Sequence, residues 1–438
     1  MRDFARSEDP AVQAQLDRLG ALSLPQGRFG LETISALLSR LGDPQRALPP
    51  VFHIAGTNGK GSTCAFLIAM LEAAGHRVHA ATSPHLVRYN ERIRIAGRLI
   101  DDELLAALLK EVLDISGDLE PSFFEVTAAA SFLAFARIPA DACVIEVGLG
   151  GRLDATNVVP APAACGIAAL GIDHEGFLLR PEAGTPTEPL ARIAFEKASI
   201  ARAGVPLVTL RYPAPAAAEV ARLADMLGAP LARLGEEWDA KVRGSRLHYR
   251  DGHGALDLPL PALAGAHQAD NAALAVALLR HQRKLAAGPA AIAAGIGAAR
   301  WPARLQRLAP GPLTSLVPGR EVWLDGAHNA QSAAVLAEAM RARAPFALVF
   351  ALLANRRLED VLAPLAPLAS AALIVPIPGH AHHDPQAVCA TRMIAPCHPA
   401  ADLRAALARL GAGTAPVLIA GSLYLAGEVL RLNDEAPD

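Results

Sequence analysis

An apolar segment, Val51–Ala55, leads straight into a glycine-rich turn, and apolar helix-like sequence follows without a gap. Glycines in such a turn let backbone N–H groups wrap phosphate oxygens, and a helix N-terminus adds positive potential. A lysine there neutralises phosphate charge, and the hydroxyls after it can reach phosphate or Mg²⁺. The sequence therefore predicts a phosphate-binding loop formed by Gly56, Thr57, Asn58, Gly59, Lys60, Gly61, Ser62 and Thr63. A plain glycine-rich turn is the alternative interpretation.

The same order of short apolar strand, loop and helix repeats around this motif. Apolar runs of four to eight residues separated by helices are typical of a parallel sheet covered on both faces. Strands are predicted at residues 51–55, 78–82, 143–147, 165–170 and 207–210. Helices are predicted at residues 30–41, 62–74, 102–113 and 123–135.

The pattern changes at residues 229–260, where short strands at 238–243, 247–250 and 255–258 predict a small antiparallel insertion. A helix at 271–285 follows, and we interpret the Gly/Ala-rich stretch up to Trp301 as a hinge between domains. A second strand–helix alternation has strands at 322–324, 347–352, 372–375 and 416–420. The sequence thus predicts two α/β domains, residues 1–298 and 299–438.

Charge and composition restrict the partners and the location. The net charge of −2 gives no reason to expect nucleic acid or an anionic membrane, so small-molecule substrates are favoured. No apolar run reaches the roughly 20 residues of a membrane helix and no targeting pattern is visible, which predicts a cytoplasmic protein. The five cysteines lack CxxC spacing and are expected to be reduced and mostly buried. A monomer is the default expectation.

Three polar residues, Ser83, Glu146 and His174, stand at or just after predicted strand ends. Carboxyl ends of parallel strands share one edge of a sheet, so these side chains can converge on a nucleotide bound at the loop. A hydroxyl, a carboxylate and an imidazole, completed by phosphate oxygens and water, make a reasonable Mg²⁺ site, although histidine is an unusual Mg²⁺ ligand. Each residue taken alone is more often structural.

Two further segments allow more than one interpretation. Residues 148–157, Gly-Leu-Gly-Gly-Arg-Leu-Asp-Ala-Thr-Asn, lack GxGxxG spacing, so we reject a dinucleotide site. Lys197 is either a surface helix lysine or, beside two metal ions, a lysine that reacts with CO₂ to give a metal-binding carbamate. The segment Leu324-Asp-Gly-Ala-His-Asn329 follows a strand and begins a helix. There Asp325 would accept hydrogen bonds from a nucleotide and His328 would lie near substrate, or the segment is an ordinary capped turn.

Taken together, these motifs resemble one family, dihydrofolate synthase/folylpolyglutamate synthase, within the wider Mur ligase superfamily. The matches occur in order through most of the chain, which makes them more specific than any single motif. They are Ala-Gly-Thr-Asn-Gly-Lys-Gly-Ser-Thr (55–63), Thr-Ser-Pro-His-Leu (82–86), Glu-Val-Gly-Leu-Gly-Gly-Arg-Leu-Asp-Ala-Thr-Asn (146–157), Ile-Asp-His (172–174), Glu-Lys-Ala (196–198), His-Gln (267–268), Trp-Pro-Ala-Arg-Leu-Gln (301–306), Asp-Gly-Ala-His-Asn (325–329) and Gly-Ser-Leu-Tyr (421–424).

The resemblance implies a P-loop ATPase domain with a parallel sheet, and a smaller Rossmann-like C-terminal α/β domain. It implies an ATP-dependent ligase that adds L-glutamate to dihydropteroate, to a folyl-glutamate or to both, through an acyl phosphate. It also implies catalytic roles for Lys60, Lys197 and His328, with one or two Mg²⁺ ions held by Ser83, Glu146, His174 and a carbamylated Lys197. It assigns nucleotide contacts to Asn271, Arg304 and Asp325, glutamate contacts to His328 and Ser422, and pteroate contacts to Phe124, Asp154 and Ala155. His85 belongs to a Ser-Pro-His-Leu form that looks like the bifunctional bacterial type.

The sequence departs from the family pattern in three places. The segment 178–189 looks longer than usual, and Ser199 stands where the family usually has glycine. Both put the placement of Lys197 in doubt. Asn355-Arg356-Arg357 replaces a typical Asp-Lys-Asp loop, which affects domain closure or glutamate-chain binding.

Two rival functions remain. A peptidoglycan amino-acid ligase of the same superfamily needs an extra N-terminal domain, and too little chain precedes residue 51 for one. A nucleotide switch that binds ATP or GTP without ligation would not need Lys197 or the Asp-Gly-Ala-His-Asn motif.

Overall fold

The structure, a computed structural model, describes residues 6–22 and 30–438. The chain divides into two compact units, each of which is described by itself. The first contains the described residues up to 84, together with 89–262 and 268–300, and the second contains 85–88, 263–267 and 301–438.

The first unit is built on a mainly parallel sheet. Its described strands lie in the order β4-β3-β2-β5-β1-β6-β7-β8, and β3 and β4 form an antiparallel edge. The predicted strands 51–55, 78–82, 143–147, 165–170 and 207–210 are all present, with small differences at their ends. The bounds are β1 (Val51–Ala55), β2 (Val78–Ala81), β3 (Ile93–Ile95), β4 (Arg98–Leu99), β5 (Ala142–Glu146), β6 (Ala164–Ile167), β7 (Leu207–Thr209) and β8 (Leu231–Arg233).

Helices cover both faces of this sheet. Buried residues of α4, α5, α7 and α8 pack with strand residues such as Val51 and Cys165, while Leu278 of α9 lies against Gly166 on the other face. Local signals start several helices, for example the capping box of Ser122 and Glu125 at α5. The bounds are α1 (Pro10–Ala21), α2 (Glu32–Arg40), α3 (Lys60–Ala73), α4 (Asp102–Ile115), α5 (Phe123–Arg137), α6 (Glu175–Leu178), α7 (Pro189–Ala198), α8 (Ala214–Leu227), α9 (His267–His281) and α10 (Pro289–Ala298).

The predicted hinge is partly wrong, because α10 occupies most of the Gly/Ala-rich stretch before Trp301. Ile292 and Ile296 lie one helical turn apart and are both buried. Gly295 lets α10 approach α3 closely, since a Cβ at this position would lie 2.5 Å from the backbone of Met70. Glycine and alanine therefore serve close helix packing here and not a flexible link.

The predicted antiparallel insertion is present as a three-stranded sheet in the order β11-β10-β9. Its strands are β9 (Trp238–Arg243), β10 (Arg246–Asp251) and β11 (Gly254–Pro259). Asp251, at the end of β10, forms an ion pair with Arg280 of α9 at 2.6 Å. This contact fastens the small sheet to α9.

The second unit has its own mostly parallel sheet, in the order β12-β13-β17-β14-β15-β16 with β12 antiparallel. Its buried residues form two clusters that contain no residue of the first unit. The strands are β12 (Gln306–Arg307), β13 (Val322–Leu324), β14 (Phe346–Phe350), β15 (Ala369–Ile374), β16 (Cys397–Pro399) and β17 (Val417–Ala420). The helices are α11 (Ala330–Met340), α12 (Leu358–Leu362), α13 (Pro385–Ala390), α14 (Leu403–Leu410) and α15 (Leu423–Leu432).

The expectation of reduced cysteines is wrong for two of the five. Cys389 of α13 and Cys397 of β16 form a disulfide, with Cα atoms 5.3 Å apart, a separation that suits such a bond. The other three, Cys64, Cys143 and Cys165, are free and buried as expected. Among the helices of the described chain, none combines the length and the apolar character needed to cross a membrane.

Candidate active site

The glycine-rich loop, residues 56–59, joins β1 to α3 and is held from one side. The backbone N–H of Thr57 donates to the carbonyl of Ala169 at 2.8 Å, and its hydroxyl donates to the carbonyl of Gly171 at 2.8 Å. Gly59 is in the left-handed region, with φ of 84°, which glycine adopts without strain. The loop is therefore fixed against the residues that follow β6, and the first turn of α3 starts directly from it.

The first turn of α3 keeps its polar groups available. Gly59 stands at the N-cap and offers no side chain to the first N–H groups of α3. Thr63 Oγ1 is buried and has no hydrogen-bond partner within residues 6–22 and 30–438. Because an unpaired buried hydroxyl is costly, this atom suits a ligand oxygen or a metal-bound group. Ser62 is equally buried. The predicted phosphate loop thus has the geometry that a nucleotide phosphate requires.

Glu146, at the end of β5, is brought next to Lys60 and Ser83. Its Oε1 lies 3.9 Å from Lys60 Nζ, and its Oε2 accepts a hydrogen bond from the backbone N–H of Ser83 at 3.1 Å. The Glu146 side chain is almost fully buried, so its charge is compensated by Lys60 and the Ser83 amide. Of the three residues predicted to converge, Ser83 and Glu146 are in direct contact.

His174 follows β6 in a left-handed backbone conformation, with φ of 54°, and caps α6. Its Nε2 lies 3.9 Å from the carboxylate of Asp173. Asp173 is buried and lines a cleft together with Lys60 and His174. Sequence reasoning gave Asp173 no role, although it belongs to the Ile-Asp-His motif. In the part of the chain that the structure describes, no three His, Cys, Asp or Glu side chains form a metal-binding group. A Mg²⁺ ion fits such a site only with nucleotide phosphates and water as further ligands, as is usual for this ion.

Lys197 lies near the end of α7 and is buried, so the alternative interpretation as a surface helix lysine does not hold. Burial, together with the positive charge of Lys60, lowers the pKa of Lys197 to about 7, against the attraction of Asp173, Asp154 and Glu196. A lysine with that pKa carries a substantial neutral fraction at neutral pH. Its amine is then a nucleophile, as carbamate formation requires.

A cleft within the first unit brings together Lys60, His174 and Lys197, and Glu146 pairs with Lys60. Its walls are the glycine-rich loop, the end of β5 with the loop after it, the segment after β6, and α7. The lining residues are Gly56, Thr57, Lys60, Val147, Gly148, Leu149, Gly150, Asp173, His174, Leu178 and Lys197.

The loop of residues 148–157 is braced by a buried polar chain. Asp154 accepts from the backbone N–H of Leu149 at 2.8 Å and from the Thr156 hydroxyl at 2.5 Å. Because Thr156 gives its proton to Asp154, His53 Nε2 donates to Thr156 Oγ1, at 2.8 Å. His53 lies in β1 within an apolar run, so sequence reasoning gave no sign of this role. Burial raises the pKa of Asp154, and both of its oxygens are used by the loop.

Two other predicted substrate residues, Phe124 and Ala155, lie at this loop. A Cβ at Gly148 would lie 2.4 Å from the Phe124 ring, so Phe124 packs directly on the loop. Ala155 is buried within the loop. His85, also predicted to contact the substrate, is buried and belongs to the second unit.

Asn271, near the start of α9, lies against the glycine-rich loop. A Cβ added at Gly59 would meet its Oδ1 at 2.4 Å, so only a glycine fits beside it. The Asn271 Nδ2 donates to Gln268 Oε1 at 3.0 Å. Gln268 is buried and orients the Asn271 amide, and sequence reasoning quoted its motif without giving it this role.

The remaining predicted residues belong to the second unit. Asp325 follows β13 and accepts from the backbone N–H groups of Leu305 at 2.7 Å and Ala327 at 2.8 Å. Burial raises the pKa of Asp325, while the charge of Arg304 opposes that rise. A Cβ at Gly326 would lie 2.9 Å from Arg304 Nη1, which places Arg304 beside the Asp325 turn.

His328 and Ser422 lie at the carboxyl ends of neighbouring strands in the same sheet. His328 follows β13, and its Nδ1 donates a hydrogen bond of 2.7 Å to the carbonyl of Gly326. Ser422 follows β17, which pairs with β13, and its hydroxyl caps α15 by accepting from the Tyr424 N–H at 3.1 Å. Arg304, Asp325, His328 and Ser422 are therefore grouped at one edge of the second sheet.

Comparison with known proteins gives a consistent result, although the chain matches no protein-family model. It is 36% identical over 343 residues to the dihydrofolate synthase/folylpolyglutamate synthase of Escherichia coli, covering 78% of this chain and 75% of the relative. A structure of E. coli FolC with DHPP and ADP superposes with a TM-score of 0.86 at 30% identity, covering 98% of this chain and 99% of that one.

A second solved structure bears on the cofactors. It is a bifunctional folylpolyglutamate synthase/dihydrofolate synthase with Mn, AMPPNP and L-glutamate bound. It matches with a TM-score of 0.82 at 29% identity, covering 98% of this chain and 99% of that one. The fold predicted from the sequence is therefore confirmed over nearly the whole chain.

Proposed function

As a member of the dihydrofolate synthase/folylpolyglutamate synthase family, this chain is an ATP-dependent ligase, and we propose that it joins L-glutamate to 7,8-dihydropteroate, to folyl-glutamates or to both. The observation that carries the proposal is the cleft beside the glycine-rich loop, which Lys60 and Lys197 both line and where Lys60 pairs with Glu146. A nucleotide switch has no use for a buried lysine of lowered pKa in this place.

The chemistry starts from a carboxylate, which is a poor acylating agent because its leaving group would be oxide. Transfer of the ATP γ-phosphoryl group to the substrate carboxylate gives an acyl phosphate, with ADP as the first product. The glutamate α-amine then attacks the acyl carbon, and the tetrahedral intermediate expels phosphate. Lys60 and the N–H groups at the start of α3 stabilise the charge on the transferring phosphoryl group.

The cofactor is a divalent cation, and the donor set fits Mg²⁺ held jointly by side chains and phosphates. Ser83, Glu146 and His174 would hold one ion, and Lys197 as a carbamate would hold a second. When bound, such ions offset the negative charge of the phosphates and the substrate carboxylate. Glu146 now pairs with Lys60, so nucleotide binding would draw Lys60 toward the phosphates and leave the carboxylate for the metal.

Carbamylation of Lys197 rests on its burial and lowered pKa. A neutral amine attacks CO₂ and loses a proton, which gives a carbamate anion. A buried site between two metal ions would stabilise this anion. Incubation with ¹³C-bicarbonate should give a carbamate signal in the wild type that Lys197→Met lacks. Equal signals in both proteins would exclude the assignment.

For the substrates, we assign the pteroate to the surface around Phe124, Asp154 and Ala155, with Asp154 acting through the loop that it braces. Asn271, Arg304 and Asp325 would contact the nucleotide. His328 and Ser422 would contact the incoming glutamate, and His85 would favour the bifunctional form. A cytoplasmic location and a monomeric state stay predictions, the second testable by light scattering.

The experiment is phosphate release from ATP in the presence of glutamate, with ligated products identified by mass. The acceptors are 7,8-dihydropteroate, tetrahydrofolate and a UDP-muramyl peptide. Turnover on the first two would establish both activities, and turnover on tetrahydrofolate alone would restrict the enzyme to polyglutamylation. Product from the muramyl peptide, or ATP hydrolysis without any ligated product, would refute the proposal.

A further inference from the structure

Behind the cleft wall formed by α7, four charged side chains form a closed ring of alternating sign. Arg152 contacts Glu182 at 2.5 Å and Glu196 at 3.1 Å. Arg192 contacts the same two carboxylates, Glu182 at 3.1 Å and Glu196 at 2.9 Å. Both guanidinium groups also lie over the ring of Phe195, at 5.3 and 5.4 Å from its centroid. The ring is therefore held by ion pairs and by stacking.

The members of this ring come from three separate segments. Arg152 belongs to the loop of residues 148–157, Glu182 to the segment between α6 and α7, and Arg192 and Glu196 to α7. That intervening segment is the one that looks longer than usual for the family. Glu182 is the residue that this segment adds to the ring, and its ion pairs join the segment to the loop of residues 148–157 and to α7.

Each tied segment carries a group of the cleft. Lys197 directly follows Glu196, and the carbonyl of Glu196 accepts from the backbone N–H of Arg152 at 2.7 Å. Arg192 Nε donates to the carbonyl of Leu178, at the end of the short helix that His174 caps, at 2.9 Å. The ring thus fixes the spacing between Lys197, His174 and the loop of residues 148–157.

An ordinary surface ion pair contributes little to structure, and Glu182 is itself partly exposed. The rest of the ring is less exposed than Glu182, because the side chains of Arg192 and Glu196 are only 6% and 5% exposed. Without Glu182, two guanidinium groups would share one carboxylate, and Arg192 would be left as an under-compensated buried cation. Such a cation is relieved by movement of α7 or of the loop, and either movement displaces Lys197.

We propose that Glu182 is a positioning residue for the metal and phosphate site, acting through Arg152 and Arg192 to hold Lys197 and His174 at a fixed separation. The inference rests on the proposed function for the identity of the site. It also explains how a chain with extra residues between His174 and Lys197 keeps these two groups in one cleft. Partners that orient a metal site from behind it commonly change metal affinity tenfold or more when removed.

The test compares Glu182→Ala and Glu182→Gln with a matched control, Glu219→Ala. Glu219 forms an ion pair with Arg222 on α8, the helix that packs beside α7, and is not one of the residues that line the cleft. Mn²⁺ affinity is measured by electron paramagnetic resonance with AMPPNP present, and kcat and KM for ATP are measured with glutamate and the active acceptor. Melting temperatures report folding of each variant.

For Glu182→Ala we expect Mn²⁺ affinity and kcat each to fall about tenfold, with KM for ATP within about twofold of the wild type. Glu182→Gln should lose less, because the amide keeps a hydrogen-bond acceptor, and Glu219→Ala should match the wild type. Wild-type Mn²⁺ affinity in folded Glu182→Ala would overturn the inference, as would a lower melting temperature with unchanged kcat. The Mn²⁺ measurement needs no turnover, so it decides the role of Glu182 separately from the substrate assignment.

Discussion

At the scale of single residues, the two glycines that bound α3 share a backbone conformation but not their surroundings. Gly59 and Gly75 have φ of 84° and 87°. A Cβ at Gly59 would meet the Asn271 amide at 2.4 Å, whereas one at Gly75 would have no atom of the described chain within 4 Å apart from its sequence neighbours. Alanine in this left-handed conformation is destabilising by roughly 1–2 kcal/mol at either position.

This pair separates backbone strain from a role at the nucleotide site. Gly75→Ala should lower the free energy of unfolding by about 1 kcal/mol and leave KM for ATP within about twofold. Gly59→Ala adds the collision with Asn271 and should raise KM for ATP roughly tenfold, about 1.4 kcal/mol of binding. Steady-state kinetics and urea unfolding check both. Equal KM values for ATP in the two variants would mean that the contact between residue 59 and Asn271 does not affect nucleotide binding.

His53 makes stability depend on pH. Burial, and to a lesser extent the charge of Arg202, lower the pKa of His53 to about 3 from an ordinary value near 6.5. Between these values the unfolded chain binds a proton that the folded chain refuses, so stability falls as pH decreases through that window. From pH 7 to 5 the expected loss is about 2 kcal/mol.

The check is urea unfolding of the wild type and His53→Gln at pH 7 and pH 5. Glutamine can still donate to Thr156 but does not titrate, so its stability should fall about 2 kcal/mol less over this range. All other titrating groups are common to both proteins and cancel in the difference. Parallel pH profiles would show that His53 is protonated equally in the folded and unfolded states.

At the scale of elements, a buried ion pair joins the three-stranded sheet to α9. Arg280 of α9 donates two hydrogen bonds of 2.6 Å to Asp251 at the end of β10, and Tyr249 donates a third at 3.0 Å. The Asp251 side chain is fully buried. Arg280→Leu would leave that carboxylate without its cation.

We expect Arg280→Leu to destabilise the first unit by about 3–5 kcal/mol. The control is Arg250→Leu on the same sheet, because Arg250 is 74% exposed and pairs with Asp239 at 3.4 Å. That change should cost at most about 1 kcal/mol. Chemical unfolding followed by the fluorescence of Trp238, which is buried in this sheet, measures both. Similar losses would show that the ion pair does not fasten the sheet to α9.

Prediction from sequence succeeded for elements with a long apolar signal. The strands at 51–55 and 322–324 were predicted with the bounds observed, since buried parallel strands are nearly continuous apolar runs. Strands β4 and β12 have two residues each and were missed, because so short a segment shows no periodicity. The stretch that forms α10 was interpreted as a hinge because its glycines, which serve helix contact, resemble flexible chain.

The residues of the site were likewise predictable only where they belong to a sequence motif. Lys60, Glu146 and Lys197 were named from motifs, and the structure brings all three to one cleft or its edge. His53 and Glu182 could not be found by these means. Each acts through polar contacts with residues distant in sequence, and neither belongs to a local pattern with a known geometry.

At the scale of the whole molecule, the division into two units with separate cores predicts separate unfolding steps. The glycine-rich loop, Glu146 and Lys197 all belong to the first unit. A nucleotide analogue whose phosphates bind there stabilises this unit by mass action, whereas contacts through Arg304 and Asp325 would act on the second unit. At a hundredfold excess over Kd the stabilisation is about 2.7 kcal/mol. For a unit of this size, that corresponds to a rise of roughly 4–5 °C in its melting temperature.

Calorimetry of the wild type and Lys60→Met, with and without AMPPNP and Mg²⁺, tests this division. Lys60 compensates the buried carboxylate of Glu146, so its replacement should itself lower the ligand-free melting temperature. The ligand-induced rise is therefore compared within each protein, and Lys60→Met should lose most of it. The wild type should show the rise in the transition assigned to the first unit, identified by its sensitivity to Arg280→Leu. If a single transition shifts as a whole, the two units unfold as one cooperative body. A full rise in Lys60→Met would place the nucleotide phosphates away from the glycine-rich loop.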